Sequence, residues 1–326
     1  MKDFFIADAA KFDNELVTSF FVLTSIQVRE KKQGGQFLSL TLADKTGLLA
    51  GTMWENFEAA SSSCSEGCYV KVQGRIGRYQ GKFQITVQQL RRAAESEIEP
   101  GDYQPATRFS VDEMWAELRG YVSRFSNEDL KRLVFAFLDD DEIASAYKAA
   151  PAAMRLHHAW LGGLLEHVLT LVRVCLAAAP FYPEVDPDLL VTGAVLHDIG
   201  KIRELGWKSS FNYTLEGQMI GHISIAQGML REKVQSIAPF PEKLRILVEH
   251  MILSHHGKYE FGSPKLPMTP EALLLSALDD LEAKMQAMRN EFAASVAGGK
   301  DAGEVTDWVR SLDRPVLNSR AYLRGE

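Results

Sequence analysis

The chain has 326 residues, enough for about two domains at roughly 150 residues each. Apolar residues make up 46% and charged residues 24%, a balance that excludes a mainly disordered chain. The net charge of -7 excludes nucleic-acid binding through bulk charge, so any such binding needs a local basic surface.

The first residues, MKDFFIADAAKFDNEL, carry acids where a signal peptide needs a basic and then an apolar run. From Leu16 to Arg92 the pattern is that of strands. Phe20 to Leu23 and Gln36 to Leu42 are rich in apolar and β-branched residues, with turns predicted at Lys32-Gln33-Gly34-Gly35 and Asp44-Lys45-Thr46-Gly47. Leu48 to Trp54 reads as a third strand and Glu55 to Ala60 as a short helix. Tyr69 to Ile76 alternates, Tyr79-Gln80-Gly81-Lys82 turns, and Phe83 to Val87 follows. Five strands with a helix before the fourth is the order of a five-stranded OB-type barrel, expected over 1–95. Phe37 and Trp54 are assigned to its core. Cys64 and Cys68 have no second pair, so small apolar roles are favoured over zinc. Three cysteines in all fit a reducing cytoplasm.

A polar, proline-containing linker is expected over 96–108. Beyond it, 109–326 reads as all-helical. Helical periodicity runs over Val111 to Phe125, Asn127 to Leu138, His157 to Ala178, Pro187 to Ile199, Gly217 to Ile237, Pro241 to His255 and Pro270 to Phe292. Ser110 and Asn127 suit N-caps. No stretch reaches roughly 18 uninterrupted apolar residues, so no membrane span is expected. The nearest, Leu161 to Ala179, contains Glu166, His167 and Arg173.

All 8 histidines fall in the helical half. His197-Asp198 ends one apolar helix and His255-His256 another, so nitrogen and oxygen ligands protrude together where helices stop. Neutral imidazole and carboxylate suit divalent cations. One HD or HH pair is a weak signal, whereas the ordered set H…HD…H…HH…D, one element per helix, is specific.

That set resembles the HD superfamily of metal-dependent phosphohydrolases. The resemblance implies as ligands His167 in GGLLEHVLTL, His197 and Asp198 in LHDIGK, His222, His255 and His256 in HMILSHHG, and Asp279 in ALDDLEAKM. Seven candidates exceed the need of one ion, so two divalent ions are implied, with Asp198 as their bridge. Mn²⁺ is the expected ion; Mg, Fe, Co, Ni and Zn are alternatives. Together with the barrel, HHAWLGGLLEH, HDIGK, HMILSHHGKYEFGSP and DDLEAKM are similar to the YhaM family of 3′–5′ exoribonucleases. Glu282 stands where that family's Asp is expected. HHGKYEFGSP departs from the GYP turn of the cyclic-dinucleotide branch.

Two divalent ions could acidify a water and clamp a phosphodiester, with Asp198 and Lys201 as catalytic groups. Lys201 suits a phosphate oxygen; the alternative is a lysine at a helix C-terminus. His157, His158, Lys258 and Tyr259 are candidate substrate contacts, against capping and loop packing. His250 is read as supporting or core, and Lys284 as a solvated helix charge. In the barrel, Lys71, Arg75, Arg78, Tyr79, Lys82 and Phe83 form a basic, aromatic stripe with no acid between Cys68 and Arg92. Such a stripe suits single strands.

These features lead to a metal-dependent exonuclease acting on single strands; the resemblance to the YhaM family implies cleavage from the 3′ end and RNA as substrate, with DNA as an alternative. The alternatives are a nucleotide phosphohydrolase or cyclic-nucleotide phosphodiesterase, and a nucleic-acid-binding regulator with a structural metal. A homo-oligomer is left open.

Overall fold

The computed structural model describes residues 2–31, 34–79, 81–154, 158–207, 211–297 and 299–325. Lys32, Gln33 and Gln80 of two predicted turns, and His157, lie outside the described residues. The chain divides into two compact units, one made of the residues up to Ala106 together with Trp207 and Phe211, the other of Thr107–Gly206 and the residues from Asn212 onward.

The first unit is a closed barrel of β1 (Leu16–Glu30), β2 (Gln36–Asp44), β3 (Gly47–Met53), β4 (Tyr69–Tyr79) and β5 (Lys82–Arg92), in the order β1-β2-β3-β5-β4. Helix α1 (Glu58–Ser63) precedes β4, as the OB order requires. Strand β1 is long enough to pair antiparallel with both β2 and β4, and a bulge between Leu23 and Ser25 bends it. Closure comes from β3 and β5, which run parallel from Ala50↔Gln84 to Thr52↔Thr86. Strict alternation along β2 turns Leu38, Leu40 and Leu42 inward, where they meet Phe21, Leu23, Val70, Val72, Ile76 and Ile85. Cys64 is part of this core and Cys68 packs against it.

The barrel has one feature beyond the expected strands and one that differs from expectation. The N-terminal segment is folded: a 3₁₀ turn over Ile6–Phe12 packs Phe4, Ile6 and Ala9 on the core. It is fixed by Asp44, which pairs with Lys2 at 2.8 Å and accepts the Ile6 amide at 2.9 Å. The expected linker 96–108 begins as barrel structure. Tyr103 is buried with its ring 5.0 Å from that of Tyr69, and Lys45 pairs with Asp102 at 3.1 Å. Burying an aromatic ring outweighs the prolines and acids that make the segment look unstructured.

The second unit is helical: α2 (Val111–Ser123), α3 (Glu128–Leu138), α4 (Asp141–Ala149), α5 (Gly163–Ala178), α6 (Pro187–Leu196), α7 (Lys201–Glu204), α8 (Leu215–Ile220), α9 (His222–Ser236), α10 (Glu242–Ser254), α11 (Pro270–Ala297) and α12 (Ser319–Arg324). Ser110 accepts the Glu113 amide, and Asn127 accepts those of Asp129 and Leu130, so both expected N-caps form. Helix α6 is buried from Leu189 to Leu196 and packs on α5, α10 and α11. Gly163–Phe181 is long and apolar enough to cross a membrane by length and composition. It is a core helix here, with Leu164, Leu165, Val168, Leu171 and Val172 buried.

Three helix predictions change. The segment predicted from His157 becomes helical only at Gly163. The helix predicted over Gly217 to Ile237 is split by Gly221, at φ 78° and ψ 152°, so His222 opens α9. Helix α4 adds to the expected set, with Asp140 capping it through the Glu142 and Ile143 amides. A two-stranded ribbon, Leu205–Gly206 with Asn212–Tyr213, is a further addition.

Candidate metal centre

The polar residues come from five helices, three of which contribute at an end. Helix α6 stops at Leu196, so His197 and Asp198 occupy its C-terminal turn, and His255 caps α10. His167 projects from the first turns of α5, His222 opens α9, and Asp279 lies on α11. Two glycines permit this convergence. A Cβ on Gly200 would lie 2.0 Å from the His222 carbonyl oxygen, so only glycine lets the His197-Asp198 turn abut the start of α9. A Cβ on Gly163 would likewise lie 2.0 Å from the His158 carbonyl oxygen.

The side chains fall into two groups around one carboxylate. His167, His197 and Asp279 form one triad, and His222, His255 and His256 form the other; either has the spacing to hold a cation. His167 Nε2 lies 3.2 Å from Asp279 Oδ1 and 3.4 Å from His197 Nε2. Asp198 stands between the triads. Its Oδ2 is 3.2 Å from His197 Nε2 and 3.8 Å from His167 Nε2, whereas Oδ1 is 3.5 Å from His222 Nε2 and 3.7 Å from His255 Nε2.

All five imidazoles are held from behind through Nδ1. His197 donates to the Ala194 carbonyl at 2.9 Å, His255 to that of Ile252 at 2.8 Å, and His256 to that of Phe261 at 2.8 Å. His167 donates to Glu282 at 2.7 Å and His222 to Glu204 at 3.1 Å. Holding Nδ1 in this way fixes the tautomer whose Nε2 lone pair is available to a metal.

Burial sharpens the chemistry. His167, His197, Asp198 and His255 are all at most 3% exposed. Asp198 Oδ1, His222 Nε2 and His255 Nε2 are buried without a hydrogen-bond partner. Three such atoms facing one another cost stability unless something satisfies them. A divalent cation fits, because it is the one partner that both nitrogens and the carboxylate can share. Burial pushes the His255 imidazole well below its usual range, which keeps it neutral for ligation. Burial alone would raise the Asp198 carboxyl, but Lys201, His197 and His222 outweigh it and hold it well below the carboxylate range. Burial likewise opposes charge on His167, yet hydrogen bonds to Asp279 and Glu282 bring it up to about 10. The proton that Asp279 favours on His167 Nε2 occupies the place a cation would take.

Lys201, expected beside the pair, opens α7 and lies 2.6 Å from Asp198 Oδ2. Lys258 and Tyr259 sit in the turn after His255-His256. Tyr259 is exposed, Lys258 lies 3.4 Å from Glu260, and the turn is tied to the site through His256 and Phe261. His158 departs from its expected role as a substrate contact. It is 1% exposed and lies 2.8 Å from Glu282, because the chain folds under α5 before the helix starts. His250 accepts the Met268 amide, and Lys284 pairs along α11 with Asp280.

Two carboxylates behind the site's histidines are poorly legible in the sequence. Glu204 carries no signal there, and Glu282 stands out only by its length. Glu282 falls in the DDLEAKM stretch, but only the packing of α7 on α9 and α11 on α5 shows which histidine each glutamate holds.

On the barrel, Lys71, Arg75 and Tyr79 share the outer face of β4, alternating with buried Val72 and Ile76. Several stripe cations have neighbours. Arg75 donates to the Asn14 carbonyl, Arg78 pairs with Asp13 at 3.1 Å, and Lys71 lies 5.1 Å from the Phe20 ring. Lys82 and Tyr79 are exposed at the β4–β5 turn. Phe83 differs from expectation: it packs on the core with the Arg78 guanidinium 4.2 Å over its ring, and so braces the arginine. Phe37 and Trp54 also differ, being outside the core. Their rings lie 5.0 Å apart on the surface of β2 and the end of β3, Trp54 is 46% exposed, and Lys31 Nζ lies 5.5 Å over it. The inward positions at that register are taken by Leu38 and Met53.

Comparison with known proteins follows the same division. Residues 164–284 match the family model described as HD domain, and 22–93 match that described as OB-fold nucleic acid binding domain. The chain is similar to proteins named 3′-5′ exoribonuclease YhaM. It is 34% identical over 300 residues to that of Listeria innocua, covering 92% of this chain and 93% of that one. It is 34% identical over 311 residues to that of Geobacillus sp., covering 94% of each. With that of Bacillus subtilis it shares 33% identity over 275 residues, 84% of this chain and 87% of that one.

Proposed function

The chain belongs to the YhaM family of 3′–5′ exoribonucleases, and on that premise we propose that it shortens single-stranded RNA at a centre of two divalent ions bridged by Asp198. It is a metal-dependent 3′–5′ exoribonuclease acting on single-stranded nucleic acid. The observation that carries the two-ion reading is the division of Asp198, with Oδ2 toward the His167–His197–Asp279 side and Oδ1 toward His222 and His255.

Bound ions would supply Lewis acidity, acidifying a water and neutralising phosphodiester charge. His167, His197, Asp198 and Asp279 would hold one, and Asp198, His222, His255 and His256 the other. Mn²⁺ suits this mixed imidazole and carboxylate donor set. Lys201 places a permanent charge beside Asp198 and orients a non-bridging phosphate oxygen. Lys258 and Tyr259 lie in an exposed turn tied to His256, a position suited to the terminal nucleotide.

For strand capture, two sets of barrel residues support the reading. Tyr79 and Lys82 are exposed at the tip of the stripe that holds Lys71, Arg75 and Arg78. Trp54, with Phe37 beside it and Lys31 over it, offers an aromatic face and a cation together. RNA is the preferred substrate on the family premise. Three free cysteines favour a reducing cytoplasm.

The test is incubation of 5′-end-labelled single-stranded RNA with the protein and Mn²⁺, against a chelator control. A descending ladder that the chelator abolishes is expected. Hydrolysis of free nucleotides with the labelled strand left intact would contradict the proposal.

A further inference from the structure

The five imidazoles of the centre are supported unequally. His197, His255 and His256 lean on backbone carbonyls, which no side-chain substitution removes. The remaining two lean on carboxylates, one in each triad. Glu282, 5% exposed on α11, accepts from His167 Nδ1 through Oε2 at 2.7 Å. Its other oxygen lies 2.8 Å from His158 Nε2, so both ends of the carboxylate are fixed. Glu204, 8% exposed on α7, accepts from His222 through Oε1, at 3.1 Å from Nδ1 and 3.0 Å from the backbone amide. A carboxylate behind an imidazole does more than orient it: the negative charge makes the far nitrogen a stronger donor to a cation.

We propose that Glu282 and Glu204 are positioning residues that set the affinities of the two metal positions separately, Glu282 through His167 and Glu204 through His222. The inference rests on the two-ion reading above. Each glutamate is occupied by the Nδ1 of a histidine whose Nε2 points the other way, so it acts through that ring. The two glutamates serve different triads, and Asp198 is the group that lies against both. His158 completes the support on one side alone, holding Glu282 as Glu282 holds His167.

The test is equilibrium dialysis of metal-stripped full-length protein against Mn²⁺, counting ions per chain, for the wild type, Glu282→Leu, Glu204→Leu and the double variant. The wild type is expected to hold two ions. Each single variant should keep one ion at wild-type affinity and bind the other about 10- to 100-fold more weakly. The double variant should hold neither tightly, because different ions are affected. Retention of one tight ion by the double variant would overturn the proposal, since both glutamates would then serve the same position. A single variant that weakens both ions or neither would overturn it too. A wild type that holds only one ion would instead defeat the two-ion reading, and the inference with it. Circular dichroism reports folding. Should a leucine variant fail to fold, the glutamine variants, which keep volume and lose charge, are judged by the same criteria.

Discussion

Lys201 Nζ lies 2.6 Å from Asp198 Oδ2, the oxygen that faces His197 and His167, so a half-buried ammonium sits on the Asp198 carboxylate itself. Burial disfavours charge on Lys201, but Asp198 more than compensates and raises its pKa. The lysine therefore stays cationic where phosphate charge would gather. Lys201→Met keeps the aliphatic stem and removes that charge. Turnover of single-stranded RNA should fall by about 100-fold, the scale of removing one preorganised electrostatic donor. Ion stoichiometry should hold. An unchanged turnover rate would reduce Lys201 to a structural counter-ion.

Gly200→Ala introduces a Cβ that would lie 2.0 Å from the His222 carbonyl oxygen. Backbone must move, at a cost of about 1–3 kcal/mol. Because the displaced segment carries His222, the melting temperature and Mn²⁺ affinity should drop together. A variant with a lower melting point and wild-type Mn²⁺ binding would separate the glycine from the site.

Metal removal should destabilise the helical unit. Asp198 Oδ1, His222 Nε2 and His255 Nε2 are buried and unpartnered, and an ion that binds only the folded chain stabilises it by about 2.7 kcal/mol at 100 times its dissociation constant. Thermal denaturation of chelator-treated protein should show a lower melting temperature, restored by added Mn²⁺. Coincident melting curves would argue against a resident ion.

Strand binding and hydrolysis should separate. Asp198→Ala should abolish RNA shortening while binding of a labelled oligonucleotide, read by fluorescence anisotropy, persists. Trp54→Ala should weaken that binding by about 1–3 kcal/mol if a base stacks there. Removing charge at Lys71, Arg75 and Lys82 together should flatten the salt dependence, by about 0.7 in log–log slope for each phosphate no longer neutralised. Unaltered affinity in the Trp54 variant and an unaltered slope in the triple variant would move strand capture off these surfaces.

Four of the ligand candidates are legible in the sequence because they form conspicuous pairs at the ends of apolar runs, as in VTGAVLHDIGK and LVEHMILSHH, and the rest through their ordered spacing around those pairs. The barrel is legible for a related reason: period-two alternation survives in β2 and β4, where one face is buried. What supports the centre is not. Glu204 reads as an ordinary helix acid, and Glu282 only as a substitution for an expected Asp, until α7 meets α9 and α11 meets α5. Hydropathy places Trp54 inside, yet Leu38 and Met53 already fill the inward register. Gly221 looks tolerable inside a helix, yet at positive φ it breaks the helix where the His222 amide meets Glu204. Each of these depends on segments distant in sequence meeting in space, where local pattern carries no information.

The central claim is that Asp198 bridges two ions, and anomalous diffraction from crystals of the Mn²⁺-loaded protein tests it most directly. Two peaks are predicted, about 3.5–4 Å apart. One should lie among His167, His197 and Asp279, the other among His222, His255 and His256, with an oxygen of Asp198 against each. A single peak, or two peaks with Asp198 touching only one, would contradict the account.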